Sequence, residues 1–282
     1  MKIRSIALAA AAVVMLTSLA AQTKPAAVKT LRIYIFENGF IRGLDTKLFN
    51  LAREEVKEPD FVNTSYLIVH PRGTLQFDSG GIPDSQFKGD GALVVEGVQS
   101  ASKPLLPQLA AAGFTPSGIT YFALSHYHSD HTGNANAFAA ATWITQKAER
   151  DFMFAEKPEG IIQPATYNAL KGAKTRILND EDFDVFGDGT LRLISTPGHT
   201  PGHQVLLVRL AKRGPVLLAG DLYHYPEERA KGILPTFEFN GDQSRASRAK
   251  VEALLKQTGA ELWIEHDMAT HAKLPKSPAY VE

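Results

Sequence analysis

Ser125-His126-Tyr127-His128-Ser129-Asp130-His131 directly follows an apolar run, Ile119 to Leu124, and sets four nitrogen or oxygen donors within six consecutive positions. In an extended segment, side chains two apart point the same way, so His126 and His128 can converge on one cation. Asp130 and His131 fall where the chain turns toward a helix, and the change of direction aims them at a second cation beside the first. The spacing is not the i, i+4 pair of a helical zinc protease. Zinc wants four or five ligands and a catalytic site keeps one position for water, so donors are also needed from elsewhere in the chain.

They stand at other strand ends. The run Leu191 to Ser195 leads into Thr196-Pro197-Gly198-His199-Thr200-Pro201-Gly202-His203, where two Pro-Gly pairs force a tight loop that presents a histidine at a sheet edge. His199, nearer the incoming strand, is the expected ligand; His203 leads into the next strand and is expected to support the loop. Val216 to Leu218 leads to Ala219-Gly220-Asp221, a carboxylate with two oxygens to share between two cations. Leu262 to Ile264 is followed by His266 within Glu265-His266-Asp267. Four strand ends thus deliver seven ligands, as expected of a site built along one sheet edge. His70, before a proline, and His271, in a polar tail, are expected to be solvated. His224, three residues past Asp221, stays open.

Composition narrows the chemistry. The 282 residues contain no cysteine, which removes disulfide scaffolds, thiolate zinc sites, iron–sulfur clusters and cysteine nucleophiles together. Thirty basic residues balance thirty acidic ones, so no strong field is expected to hold nucleic acid or an anionic membrane, and the expected partner is a small-molecule substrate. A 44% hydrophobic, 21% charged chain is ordinary globular composition. Residues 1–20 read as a signal peptide: Lys2 and Arg4, an apolar run from Ile6 to Leu16, then small residues, with cleavage expected after Ala20. The apolar run is shorter than the roughly 20 residues of a spanning helix, so residues 21–282 are expected to be a periplasmic or secreted soluble domain with no stable membrane insertion.

From Leu31 onward, short apolar runs alternate with glycine, proline and asparagine, without repeats or a low-complexity linker. Strands are expected over Leu31 to Phe36, Thr64 to Val69, Thr74 to Phe77, Ile119 to Leu124, Leu191 to Ser195, Gln204 to Leu210, Val216 to Leu218 and Leu262 to Ile264. Helices are expected over Leu105 to Ala112, His131 to Ala139, Ala148 to Phe154 and Ser244 to Gln257. Sheets covered by helices, an α/β (α+β) class with one domain, follow from that order.

Taken together, His126-x-His128-x-Asp130-His131, His199, Asp221 and His266 resemble the metallo-β-lactamase superfamily over most of the chain. Upstream, Asn63 to Val69, Gly73 to Phe77 and Asp78-Ser79-Gly80 look like that family's opening strands and acidic turn. The resemblance implies an αββα metallo-β-lactamase-like sandwich and two divalent metal ions, zinc being the expected species. It implies that His126, His128 and His199 hold the first ion, Asp130, His131 and His266 the second, and that Asp221 bridges. Diiron oxygen-reducing relatives carry glutamate where this chain has His128, and true β-lactamases generally lack a carboxylate like Asp221. The chain looks most like the N-acyl homoserine lactonases, which implies that water activated between the cations opens the ester ring of a lactone. Those lactonases commonly carry tyrosine three residues after the bridging aspartate; here that position is His224, flanked by Tyr223 and Tyr225. Catalytic roles are therefore expected for Asp130, as proton carrier, and for Tyr223 or His224, as hydrogen-bond donors to substrate.

Phe152, Met153, Phe154, Ile161, Ile162 and Tyr167, around Pro158-Glu159-Gly160, suit a lid or acyl-chain groove, with core or the face of a homodimer as the alternative. Rival activities on the same two ions are thioester hydrolysis resembling glyoxalase II and broad esterase or lactamase action. A periplasmic metal-binding protein without chemistry is the alternative from another class.

Overall fold

The computed structural model describes residues 29–88, 92–158 and 160–282, so the expected signal segment, its cleavage point and Glu159 lie outside the described residues. Strands β1 (Arg32–Ile41), β2 (Phe61–His70), β3 (Gly73–Phe77), β4 (Val94–Glu96), β5 (Gln99–Ala101), β6 (Tyr121–Ala123), β7 (Thr142–Gln146) and β8 (Thr175–Leu178) form one sheet in the order β4-β5-β1-β2-β3-β6-β7-β8. A second sheet consists of β9 (Phe183–Asp184), β10 (Leu191–Ser195), β11 (Gln204–Leu210), β12 (Gly214–Leu218) and β13 (Glu261–Trp263). The carboxy-terminal β14 (Tyr280–Val281) returns to pair with β1. Helices α1 (Leu105–Ala111), α2 (Ser129–Thr132), α3 (Lys147–Met153), α4 (Pro164–Tyr167), α5 (Pro226–Lys231), α6 (Gly241–Thr258) and α7 (Met268–Lys273), with short 3₁₀ turns between elements, complete the described residues.

Three apolar layers hold the sheets. Alternate residues of β1, Ile33 and Ile35, face inward with Ile68, Leu75 and Phe77 and meet Leu193, Leu206, Val208, Leu218 and Trp263 of the other sheet. The opposite face of the first sheet, with Phe36, Leu67, Phe122 and Trp143, packs under Leu105 and Leu109 of α1 and Met153 of α3. The outer face of the second sheet, Ile194, Val205, Leu207 and Leu217, takes Val251 and Leu255 of α6. Both faces of each sheet are covered, which is why the central strands read as unbroken apolar runs rather than alternating ones. The layers are those of an αββα sandwich. Asn240 caps α6 by accepting from the amides of Asp242 and Gln243, and Gly259 ends it at φ 67°. No helix among the described residues is long and apolar enough to cross a membrane.

Several expectations change. The helix expected over His131 to Ala139 stops at Thr132, with one 3₁₀ turn at Ala135–Phe138, because the Gly133 and Asn134 amides donate instead to the carbonyls of Gly80 and Ser79. His70 is buried rather than solvated, its ring stacked 4.0 Å from Phe186 and its Nε2 2.9 Å from Asp188. His271 is buried rather than in a polar tail: it sits on α7 beside Thr64 and Glu37. Within the expected lid, Met153 and Tyr167 are core, Phe152, Phe154 and Ile162 pack against it, and Ile161 is exposed.

Trp263, 1% exposed, fills the space between the sheets immediately before the His266 loop. Trp263→Ala should lower the unfolding free energy by about 3–5 kcal/mol, as large-to-small changes of buried aromatics do, measured by urea denaturation; a loss below about 1 kcal/mol, the range of surface changes, would contradict this placement.

Candidate metal centre

Every expected metal donor lies past the carboxyl end of a strand, and the strand ends bring them together. Beyond β6 the chain runs extended through Ser125 to His128 and then turns into α2. His126 and His128, two apart, fall in one cluster with His199 and Asp221; Asp130 and His131, on the helical turn, fall in a second with His266 and again Asp221. In each cluster the donor atoms lie within 4.8 Å of one another.

Asp221 is common to both because its two oxygens face different ways. Oδ2 lies 3.6 Å from His126 Nε2 and 3.5 Å from His199 Nε2. Oδ1 lies 3.1 Å from both His131 Nε2 and His266 Nε2. Asp130 Oδ2 stands 3.5 Å from each of the same two nitrogens. The chain reaches this point through Gly220 at φ +47°, where a Cβ would meet the Ser125 Cβ at 2.7 Å and His203 Nε2 at 3.0 Å. The Asp221 amide donates to His203 Nε2 at 3.1 Å, while His203 Nδ1 pairs with Thr196 at 2.8 Å. His203 therefore orients Asp221 from behind and spends both nitrogens doing so.

The outward nitrogens are tied down in turn. His126 Nδ1 pairs with Ser125 Oγ at 3.0 Å, His199 Nδ1 faces Glu238 at 3.3 Å, and His266 Nδ1 faces the Val62 carbonyl at 3.0 Å. Behind His131 stand two buried carboxylates, Asp78 and Glu265, each 3.3 Å from Nδ1. A proton fixed on the outer nitrogen leaves the inner nitrogen a lone pair, the arrangement that orients an imidazole toward a metal.

Charge follows the same design. Burial holds His126 well below the usual imidazole range and lowers His128 and His199 to about 3, so all three are neutral lone-pair donors at neutral pH. Burial also lowers His131, but Asp221, Glu265, Asp130 and Asp78 outweigh it and raise that imidazole well above its ordinary value. Burial favours a protonated Asp221, yet the surrounding imidazoles, His266 and His131 foremost, pull it well below the usual carboxylate range.

The donor set fits a pair of divalent cations. His126 Nε2, His131 Nε2 and Asp221 Oδ1 are buried without any hydrogen-bond partner, and such atoms cost about 1–3 kcal/mol each when left unmet. Two donors bound at 2.0–2.1 Å with tetrahedral angles stand roughly 3.4 Å apart, close to the spacings around Asp221. Imidazole and carboxylate suit zinc, manganese, iron or cobalt.

The two remaining candidates separate. Tyr223 turns away: its hydroxyl donates to Glu252 on α6 at 3.0 Å and its ring lies under Arg248, so it does not serve the centre. His224 stays, with Nε2 3.2 Å from Asp221 Oδ2 and Nδ1 3.4 Å from the buried Glu228. Burial lowers its pKa but Glu228 and Asp221 raise it further, to about 10. Glu228 also accepts from the His224 amide at 3.0 Å and pairs with the buried Arg248 at 3.2 Å. Glu228, Arg248, Glu238 and Glu265 were not anticipated from sequence. The one signal available was Glu228, four residues after His224 and in the first turn of a helix opened by Pro226.

Residues 59–262 match the family described as the metallo-beta-lactamase superfamily. An N-acyl homoserine lactonase AttM from Rhizobium johnstonii is 32% identical over 263 residues, covering 89% of this chain and 98% of the relative. The protein of the same name from Azorhizobium caulinodans is 30% identical over 265 residues, covering 89% and 99%. Among solved structures, an N-acyl homoserine lactone hydrolase with N-hexanoyl-L-homoserine at its catalytic metal centre superposes with a TM-score of 0.74 at 22% identity, covering 90% of this chain and all of that one.

Purified protein should carry two equivalents of divalent metal, His199→Ala should lose one, and Asp221→Ala should retain less than His199→Ala. Elemental analysis after dialysis checks this, and an Asp221→Ala protein that keeps both ions would exclude a shared carboxylate.

Proposed function

The chain belongs to the metallo-beta-lactamase superfamily, and on that premise we propose that it opens the ester ring of N-acyl homoserine lactones at a two-zinc centre. The observation that carries the reading is the pair of four-residue clusters sharing Asp221, in a chain that matches curated lactonases across almost their whole length. His126, His128 and His199 would hold one ion, Asp130, His131 and His266 the other, with Asp221 between. Bound there, the two ions would polarise the lactone carbonyl and lower the pKa of water enough to supply a nucleophile at neutral pH.

The chain's own groups supply the rest. Asp130 is the most exposed member of its cluster, with Oδ2 toward the histidines and its second oxygen available to take a proton from attacking water and deliver it to the leaving alkoxide. His224, with Nε2 3.2 Å from Asp221 Oδ2 and Nδ1 facing Glu228, which Arg248 holds in turn, would donate a hydrogen bond to the substrate's carbonyl or alkoxide oxygen. An apolar wall flanks the centre: Tyr127 stacks on Phe152 at 4.8 Å, Phe239 lies 6.1 Å beyond, and Ile161 and Phe239 are each 55% exposed. That wall suits the acyl chain. The segment from Lys2 to Ala21 supports export before the domain acts.

The net reaction adds one water and releases about one proton per ring opened at neutral pH, because the carboxylic acid formed ionises. A weakly buffered indicator assay with a homoserine lactone, a thioester and a cephalosporin should give turnover with the lactone first. Faster thioester turnover would transfer the assignment to that class. Phe239→Ser should raise KM for long-chain lactones several-fold, equivalent to about 1 kcal/mol of lost burial, and leave short-chain substrates nearly unchanged; equal effects on both would remove Phe239 from the acyl wall.

A further inference from the structure

We infer that Glu149 is a positioning residue that sets the separation between the His126/His128 loop and the His199 loop, and so governs binding of one of the two ions. The inference rests on the metal-centre reading above.

The two loops come from different sheets, one following β6 and the other following β10, so no single strand pairing fixes their spacing where the histidines project. His199 Nε2 and His128 Nδ1 nonetheless stand 3.1 Å apart. On the strand side, the Gln204 amide donates to the Ser125 carbonyl at 2.9 Å. On the far side the link is Glu149, in the first turn of α3 and 2% exposed. Its Oε1 accepts from the Tyr127 amide at 2.7 Å, between the two histidines of the first loop. Its Oε2 accepts from the Gly202 amide at 2.8 Å, and the Thr200 hydroxyl, next to His199, lies 3.0 and 2.8 Å from the two oxygens. One carboxylate thus grips both ligand loops with charge-assisted hydrogen bonds.

The loop after β10 is shaped to admit it. At Gly202 a Cβ would stand 2.6 Å from the Glu149 amide nitrogen and 2.8 Å from its Cβ, so the Pro201-Gly202 pair serves the approach of α3 as well as the turn. Burial pushes the Glu149 carboxyl up to about 7, while the Thr200 hydroxyl and the two amides favour its charged form. No metal donor touches Glu149; its action is on the backbone that carries them.

Glutamine cannot replace it. Each oxygen of Glu149 meets a backbone N–H, so either orientation of a glutamine amide sets its NH₂ group against a donor. The test is titration of metal-free wild type, Glu149→Gln and Thr200→Val with zinc against a chromophoric chelator at pH 8, beside thermal melts of the same proteins. Wild type should bind two ions. Glu149→Gln should keep one near wild-type affinity and bind the other about 10- to 100-fold more weakly, the range for residues that orient ligands. Thr200→Val should move the same constant in the same direction by less, and decides the matter if Glu149→Gln fails to fold. Unchanged affinities in the variants, or equal weakening at both ions with a matching fall in melting temperature, would overturn the inference. A wild-type protein that binds fewer than two ions would instead overturn the metal-centre reading.

Discussion

A single carboxylate buried among five imidazoles is the constraint on which the rest of this structure turns. Asp221 lies within 3.6 Å of ring nitrogens from His126, His131, His199, His224 and His266. Packing alone would not assemble such a group, because each ring nitrogen and carboxylate oxygen loses water on burial and several find no partner in the protein. Only a sandwich stabilised elsewhere can hold it. The three apolar layers supply that stability, and the polar cluster sits where the strands of both sheets run out, outside the layers rather than within them.

The supporting residues show how far the constraint spreads. Asp78 sits at φ 58°, an uncommon conformation for a residue with a Cβ, and from there accepts the Ser125 amide with Oδ1 while facing His131 with Oδ2. The same turn takes the amides of Gly133 and Asn134, ending α2 early. Helix length, turn strain and ligand direction are thus consequences of one requirement, that His131 present Nε2 to Asp221.

This division also decides what could be read in advance. The seven residues that meet around Asp221 and the strands beneath them are legible because histidines and carboxylates cluster in the sequence and because buried strands are continuous apolar runs. β7 and β8 were not: Thr142–Gln146 and Thr175–Leu178 are short and mix polar with apolar residues. The burial of His70 and His271 is not legible locally, because Pro71-Arg72-Gly73 after His70 reads as a turn and the segment around His271 as a polar tail, whereas their burial comes from Phe186 and from Thr64 and Glu37, contacts separated by more than a hundred residues in chain order. Tyr223 was misplaced for a related reason, since the 3₁₀ turn at Gly220–Leu222 sends its side chain toward α6 while His224 swings back to the centre.

His224 places its own demand on the fold. A tyrosine at position 224, three residues past Asp221, would bring a neutral hydroxyl and need no counter-charge. A histidine brings a second titratable ring beside Asp221, and the chain answers with a buried carboxylate behind it, Glu228. A lone buried carboxylate would itself be costly. Arg248 meets that need: its Nη2 pairs with Glu228, and its Nε and Nη1 donate to the carbonyls of Leu222 and Ile233. His224, Glu228 and Arg248 form a buried chain from the centre to the inner face of α6, so the histidine at position 224 is held as part of a network rather than alone.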